Sequence, residues 1–212
     1  MNSEGYEYVR DPAEIYAQSF ATVEREADLS RLPANMRSVA TRLIHSCGMI
    51  DILDDLDFSE NAAASGIDGF RNGATVLCDV EMVKAGIIPG FLPAGTKVIC
   101  TLNDERVPEH AKTIGNTRSA AAIDFWKEDL EGAIVVIGNA PTALFRLLEL
   151  IQAGAPKPAL VIGIPVGFIG AAESKQALAE NSSDIEFITV HGRRGGSAMA
   201  SSVVNALARE VS

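Results

Sequence analysis

The stretch Ala133-Ile134-Val135-Val136-Ile137-Gly138-Asn139-Ala140-Pro141-Thr142 decides how this chain folds. An unbroken apolar run ends in a glycine turn, and helical spacing follows over residues 141–153. A strand without polar alternation is buried on both faces, as in a parallel sheet covered by helices. The pattern repeats outward. Expected strands at residues 74–78, 97–102, 133–138, 159–164 and 186–190 alternate with expected helices at 79–85, 117–130, 141–153 and 170–181, and a helix at 197–209 closes the chain. This alternation predicts an α/β fold: a three-layer, doubly wound, mainly parallel five-stranded sheet over residues 74–212.

Residues 1–60 read as a helical extension on that core, and no linker or repeat divides residues 1–212 into further domains. Asp11-Pro12 supplies an N-cap and a first-turn proline for a helix running to Ala27. A second helix spans residues 34–47, with apolar residues at Met36, Val39, Ala40, Leu43, Ile44 and Cys47. His45 falls off that stripe in the last turn, and Gly48 is placed to cap it. A helix C-terminus favours the imidazolium, so His45 has the character of a general acid. The competing interpretation is a surface histidine that only compensates the helix dipole.

The chain has 212 residues, 47% of them hydrophobic, and a net charge of −10. That charge excludes general nucleic-acid binding, which needs a basic footprint. No apolar run is long enough to cross a bilayer, and residues 1–10 lack a signal-peptide core. The three cysteines, Cys47, Cys78 and Cys100, form no CxxC pair, which argues against a disulfide framework or a zinc site and points to the cytoplasm. Cys78 and Cys100 are expected to be buried thiols. Asp51, Asp54 and Asp55 could share a helical face, but the run has neither the glycine turn of a calcium loop nor a histidine partner. The acidic run Asp51 to Asp57 is therefore expected to be a solvated face, and no metal or other cofactor is expected.

In a doubly wound sheet, ligands bind beyond the carboxyl ends of the strands. Three glycine-bearing loops are expected there: Gly138 to Thr142, Gly163 to Gly170, and His191 to Ser197. Such loops let a ligand approach the backbone, and helix N-termini donate N–H groups to anions. The simpler interpretation is that they are ordinary turns. Neither GxGxxG after the first expected strand nor GxxxxGK[ST] anywhere supports a nucleotide site. Asn116 or Thr117 is placed to cap the next helix. Arg118 then lies in the first turn, either in a rim ion pair or turned toward a ligand carboxylate. Arg193 and Arg194 offer the same two possibilities. His110 is expected to be exposed in a charged loop over residues 103–112, and His191 to end a strand as a ligand contact or a structural residue.

Several of these segments carry a family resemblance along nearly the whole chain. They are Tyr8-Val9-Arg10-Asp11, His45-Ser46-Cys47-Gly48, Leu77-Cys78-Asp79-Val80-Glu81-Met82, Gly115-Asn116-Thr117-Arg118-Ser119-Ala120-Ala121, Ile137-Gly138-Asn139-Ala140-Pro141-Thr142, Gly163-Ile164-Pro165-Val166-Gly167-Phe168 and Arg194-Gly195-Gly196-Ser197-Ala198. The chain resembles the precorrin-8X methylmutases of cobalamin biosynthesis. The resemblance implies an isomerase that moves a methyl group from C-11 to C-12 of precorrin-8X, giving hydrogenobyrinic acid. It implies His45 as the acid/base residue, Ser19 as a substrate contact, and a homodimer, with transient contact to neighbouring pathway enzymes also expected. Asn116, Thr117, Arg118, Asn139, Thr142, Arg194, Gly195 and Ser197 are the further expected substrate contacts. Cys47-Gly48 looks more like the aerobic branch than the cobalt-dependent one. The alternatives are a cobalt-precorrin-8 methylmutase, a non-catalytic corrinoid-binding protein and a nucleotide-binding α/β enzyme.

Overall fold

The computed structural model describes residues 6–180 and 185–211. Its strands are β1 (Leu56–Phe58), β2 (Val76–Cys78), β3 (Val98–Cys100), β4 (Ile134–Ile137), β5 (Leu160–Gly163) and β6 (Phe187–Val190). They form one sheet in the order β1-β6-β5-β4-β2-β3. The five expected strands are parallel, as their unalternating burial requires. The sheet, however, has six strands rather than five. β1 pairs antiparallel with β6, placing Leu56 opposite Val190. It lies inside the acidic run, in a stretch expected to be helical. Three half-buried residues on an edge are too few to show a period of two.

Successive strand residues point to opposite faces, and each face has its own core. Ile134 and Val136 join one cluster, while Val135 and Ile137 join the other. The first face packs α2 (Ala34–Cys47), α3 (Ala62–Arg71), α4 (Glu81–Gly86) and α9 (Ser197–Arg209). The second packs α6 (Arg118–Ile123), α7 (Pro141–Gln152) and α8 (Ala171–Glu180). Helix α9 is buried from Met199 through Ala208. Its Asn205 remains satisfied there: Oδ1 accepts from the Ile88 N–H at 2.8 Å, and Nδ2 donates to the Gly86 carbonyl at 3.0 Å.

Several helix boundaries differ from expectation. Helix α3 was not anticipated; three of its ten residues are alanine and two are glycine, which weakens its periodic signal. The expected charged loop at 103–112 contains α5 (Val107–Ile114). The expected helix at 117–130 leaves α geometry after Ile123 for a 3-10 turn at Asp124–Trp126. Helix α8 ends its described part at Glu180; the expected end at Asn181 lies outside the described residues. The N-terminal helix α1 (Pro12–Glu26) begins as expected, with Asp11 accepting from the Ala13 N–H.

Strand order reverses between β2 and β4, which is the ligand-binding switch point of such sheets. Here the buried carboxylate of Asp79, directly after β2, occupies that point. It accepts from the N–H groups of Gly138 at 3.0 Å, Asn139 at 3.0 Å and Ala140 at 2.9 Å. Burial pushes its carboxyl pKa up, against the opposing pull of those three donors. Helix α8 carries a second buried ionisable group, Lys175, whose Nζ donates to the Arg194 carbonyl at 2.7 Å. Burial pushes this amine down to about 8, with the Asp55 charge acting the other way.

Asp79→Asn presents an amide NH2 group to buried donors and is expected to cost about 2–4 kcal/mol in urea unfolding with an unchanged m-value. A loss under about 0.5 kcal/mol would show that the three N–H groups find other partners. Lys175 carries its proton less readily in the folded chain than in the unfolded one. Folding stability therefore rises as pH climbs from about 8 toward the ordinary lysine value near 10.5. The Lys175→Met variant should lack this component of the pH–stability curve.

Candidate active site

His45 stands in the last turn of α2, which Gly48 terminates with φ 69° and an N–H bond to the Ile44 carbonyl. That left-handed residue turns the chain sharply, so His45, Gly48 and Ile50 line one side of a cavity of about 500 Å³. Helix α1 supplies the other side, through Ser19 and its neighbours Gln18, Thr22 and Glu26. Ser19 Oγ lies 2.7 Å from His45 Nδ1. One ring nitrogen is thus held by a hydroxyl, which leaves Nε2 for a guest. The rings of Tyr16 and Phe20 pack beside the imidazole, each with its centroid at 5.3 Å.

Ser19 and His45 were expected at the site, but Gln18, Thr22 and Glu26 were not. Their signal was present: residues 15, 18, 19, 22 and 26 share one face of a helix. The polar members of that face made it look like an ordinary solvent side.

Next to this cavity, a hollow of about 340 Å³ is lined by Met49, Val166, Phe168, Arg193, Arg194 and Gly195, among others. The Gly48-Met49-Ile50 segment lies between the two spaces. The glycine loops do share one edge. A Cβ at Gly195 would lie 2.5 Å from the Ile164 carbonyl oxygen and 2.6 Å from that of Pro165, so only glycine lets these loops approach so closely. Gly170, at the end of the loop after β5, packs against Pro141 at the start of α7.

The acidic run is solvent-exposed at Asp51 and Asp54, as expected, but it is also ion-paired. Arg194 donates to Asp51 Oδ2 at 2.6 Å and also to Asp55. Arg31 pairs with Asp54 at 2.9 Å, and His191 Nε2 lies 2.8 Å from Asp57 Oδ2. The pairs of Asp51, Asp55 and Asp57 tie the N-terminal extension to the loop after β6, and the Arg31–Asp54 pair lies within the extension. Arg194 is thus already paired with two carboxylates, and it also lines the hollow. Arg118 is not turned into either hollow: it is exposed, and its Nη2 donates to the Leu102 carbonyl at 3.2 Å. His110, expected to be exposed, is half-buried at 2.6 Å from Asp124, which Arg146 also grips. Arg193 stacks over Phe168 at 5.4 Å.

The remaining expected contacts form a second group. Thr117 caps α6 by accepting from the Ala120 N–H at 3.1 Å, and its Oγ1 lies 2.8 Å from Thr142 Oγ1. Asn116 Oδ1 accepts from the Thr117 N–H at 2.7 Å. Asn139 is fixed through its backbone to Asp79. Ser197 Oγ is buried without a hydrogen-bond partner. Asn116, Thr117, Thr142 and Arg118 line neither hollow.

All three cysteines are free thiols; Cys78 is buried, as expected, whereas Cys100 on the edge strand is only half-buried. Burial raises the thiol pKa at each of Cys47, Cys78 and Cys100, which keeps them protonated and poorly nucleophilic. Among the described residues, no group of three or more His, Cys, Asp and Glu side chains could hold a metal ion. Among the same residues, no helix is long and apolar enough to cross a membrane. An imidazole oriented by a hydroxyl at the wall of a mainly apolar cavity is a group able to give and take a proton.

A family model described as precorrin-8X methylmutase matches residues 14–210. The precorrin-8X methylmutase of Pseudomonas aeruginosa is 56% identical over 204 residues, which cover 96% of this chain and 98% of that one. The cobalt-precorrin-8 methylmutase of Leptospira interrogans is 36% identical over 200 residues, covering 91% of each. A solved structure of precorrin-8X methylmutase from Thermus thermophilus superposes with a TM-score of 0.85 at 35% identity, covering 94% of this chain and 96% of that one. Sequence and fold agree over almost the full length, and the chain belongs to the precorrin-8X methylmutase family.

Proposed function

We propose that this chain is an isomerase that converts precorrin-8X to hydrogenobyrinic acid, with His45 as its acid/base residue. The observation that carries this assignment is the His45–Ser19 pair, which sits at 2.7 Å in a cavity separated by the Gly48-Met49-Ile50 segment from a hollow at the glycine loops. The higher identity to the precorrin-8X relative than to the cobalt-precorrin-8 relative favours the metal-free substrate.

A 1,5-sigmatropic methyl shift needs no nucleophile and no change of oxidation state. His45, as imidazolium, passes its Nε2 proton to the conjugated macrocycle. The methyl group migrates with its bonding pair from C-11 to C-12, and Nε2 takes a proton back. Through both transfers Nδ1–H donates to Ser19 Oγ, which keeps the ring from rotating. A macrocycle seated over His45 reaches from the first cavity into the adjoining hollow. Arg193 and Arg194 line that hollow, and Arg118 lies outside both spaces beside the Leu102 carbonyl. We assign all three to the substrate's acidic side chains: Arg193 and Arg118 have no carboxylate partner among the described residues, and Arg194 also holds Asp51 and Asp55. Asn116, Thr117, Asn139, Thr142, Gly195 and Ser197 complete the proposed contact set along the same strand edge.

The exposed apolar side chains Val166, Phe168 and Ile169 beside the hollow support assembly as a homodimer. The free thiols fit a reducing cytoplasm.

His45→Ala is expected to lower the turnover of precorrin-8X by at least about 100-fold, followed by the absorbance of hydrogenobyrinic acid. Undiminished conversion would remove His45 from the mechanism. A carrier protein would bind hydrogenobyrinic acid yet leave precorrin-8X unconverted in a single-turnover experiment with the unaltered chain. Gly195→Ala forces the loop away from Ile164 and Pro165, and product affinity should weaken about tenfold in a fluorescence or absorbance titration.

A further inference from the structure

Arg42 is a buried cation without an anion. It is 7% exposed. Its Nη1 donates to the Tyr16 hydroxyl at 2.6 Å, and its Nη2 is buried with no hydrogen-bond partner. Among the described residues, no carboxylate lies within ion-pair distance of it. Its other contacts are aromatic: the guanidinium carbon sits 5.6 Å from the Tyr16 ring centroid, 5.5 Å from Phe20 and 5.1 Å from Phe91. An unpaired buried charge is costly, and a leucine or methionine would fill the position more cheaply. Such local conflicts cluster at functional sites.

The geometry around it shows what the cation does. Arg42 and His45 are three residues apart on α2, and so they share one face of that helix. Tyr16 and Phe20, on α1, contact both of them: each ring has the imidazole at 5.3 Å on one side and the guanidinium on another. Ser19 lies on the same helix between the two rings. Helix α1 has little else to hold it, since Val23 is its one buried residue and Ile15 is left 47% exposed.

We propose that Arg42, acting through Tyr16 and Phe20, is a positioning residue that clamps α1 onto α2 and so fixes the Ser19–His45 contact. It lines neither the cavity around His45 nor the hollow beside it, but a third cavity of about 540 Å³ that Phe20, Glu24 and Glu210 also line, with neither carboxylate in ion-pair contact with it. The proposal rests on the acid/base assignment of His45 for its effect on rate, but the clamp itself is measurable without activity.

The test uses the full chain and the variants Arg42→Met, Arg42→Lys and Tyr16→Phe. Tyr16→Phe keeps the ring and loses only the acceptor hydroxyl, so it is the milder variant should Arg42→Met fold poorly. In Arg42→Met, amides of residues 12–26 are expected to exchange with deuterium about tenfold faster, while those of α9 keep their protection. Turnover number should fall about tenfold. Tyr16→Phe should lie between Arg42→Met and the unaltered chain, and Arg42→Lys should recover part of the loss through its retained charge. The double variant Arg42→Met/His45→Ala should be no slower than His45→Ala alone, because the clamp acts through that imidazole. Unchanged exchange over residues 12–26 overturns the clamp, as does a rate loss that multiplies with that of His45→Ala. Deprotection of α9 together with α1 in both Arg42→Met and Tyr16→Phe also overturns it, by reducing Arg42 to a general stability role. Full activity in His45→Ala would instead overturn the acid/base assignment, and the exchange measurement then decides the clamp alone.

Discussion

The Asp79 carboxylate governs the strand edge on which everything else is built. Parallel strands leave backbone N–H groups unpaired where their order reverses, and in many such sheets a bound anion satisfies them. Here the side chain directly after β2 reaches across and accepts three of them from the loop after β4. The switch-point crevice is therefore closed by the protein itself. That loop then starts α7, where Pro141 meets Gly170 and the loop after β5. The loop after β5 in turn meets Gly195, and Arg194 holds Asp51 and Asp55. Each loop is placed by the one before it, starting from one buried charge.

The two hollows lie away from that crevice, one between α1 and the end of α2 and the other at the loops after β5 and β6. The ion pairs of the acidic run link the N-terminal extension to the core. They turn a stretch of negative charge into a set of fixed contacts, and they engage Arg194 in the process. Surface pairs of this kind contribute little energy one at a time. Their geometric role is to hold residues 51–57 against the loop after β6.

The parallel sheet was legible because its strands are buried on both faces and carry no polar residue to obscure the pattern. The glycine loops were legible for the same reason: each follows a strand directly. His45 and Ser19 could be named, but their distance could not, because 26 residues separate them and the contact depends on how α1 packs. β1 escaped because three residues cannot show alternation. The ion pairing of the acidic run was not legible because it joins residues more than a hundred positions apart, as in Asp51 with Arg194. The internal partners of Arg118 and Arg194, a carbonyl and two carboxylates, were not legible because they come from residues distant in the chain.

The unanticipated strand β1 also bears on how copies of the chain can meet. A sheet edge with unpaired N–H and C=O groups is a template for strand addition and aggregation. β6 would be such an edge. β1 covers it with three residues, and its central Asp57 is tied down by His191. At the opposite margin β3 is equally short. Neither margin offers a long, flat ribbon of backbone to a neighbour. Self-association is thereby steered away from continuous sheets and toward side-chain surfaces, which can be specific and can close on themselves.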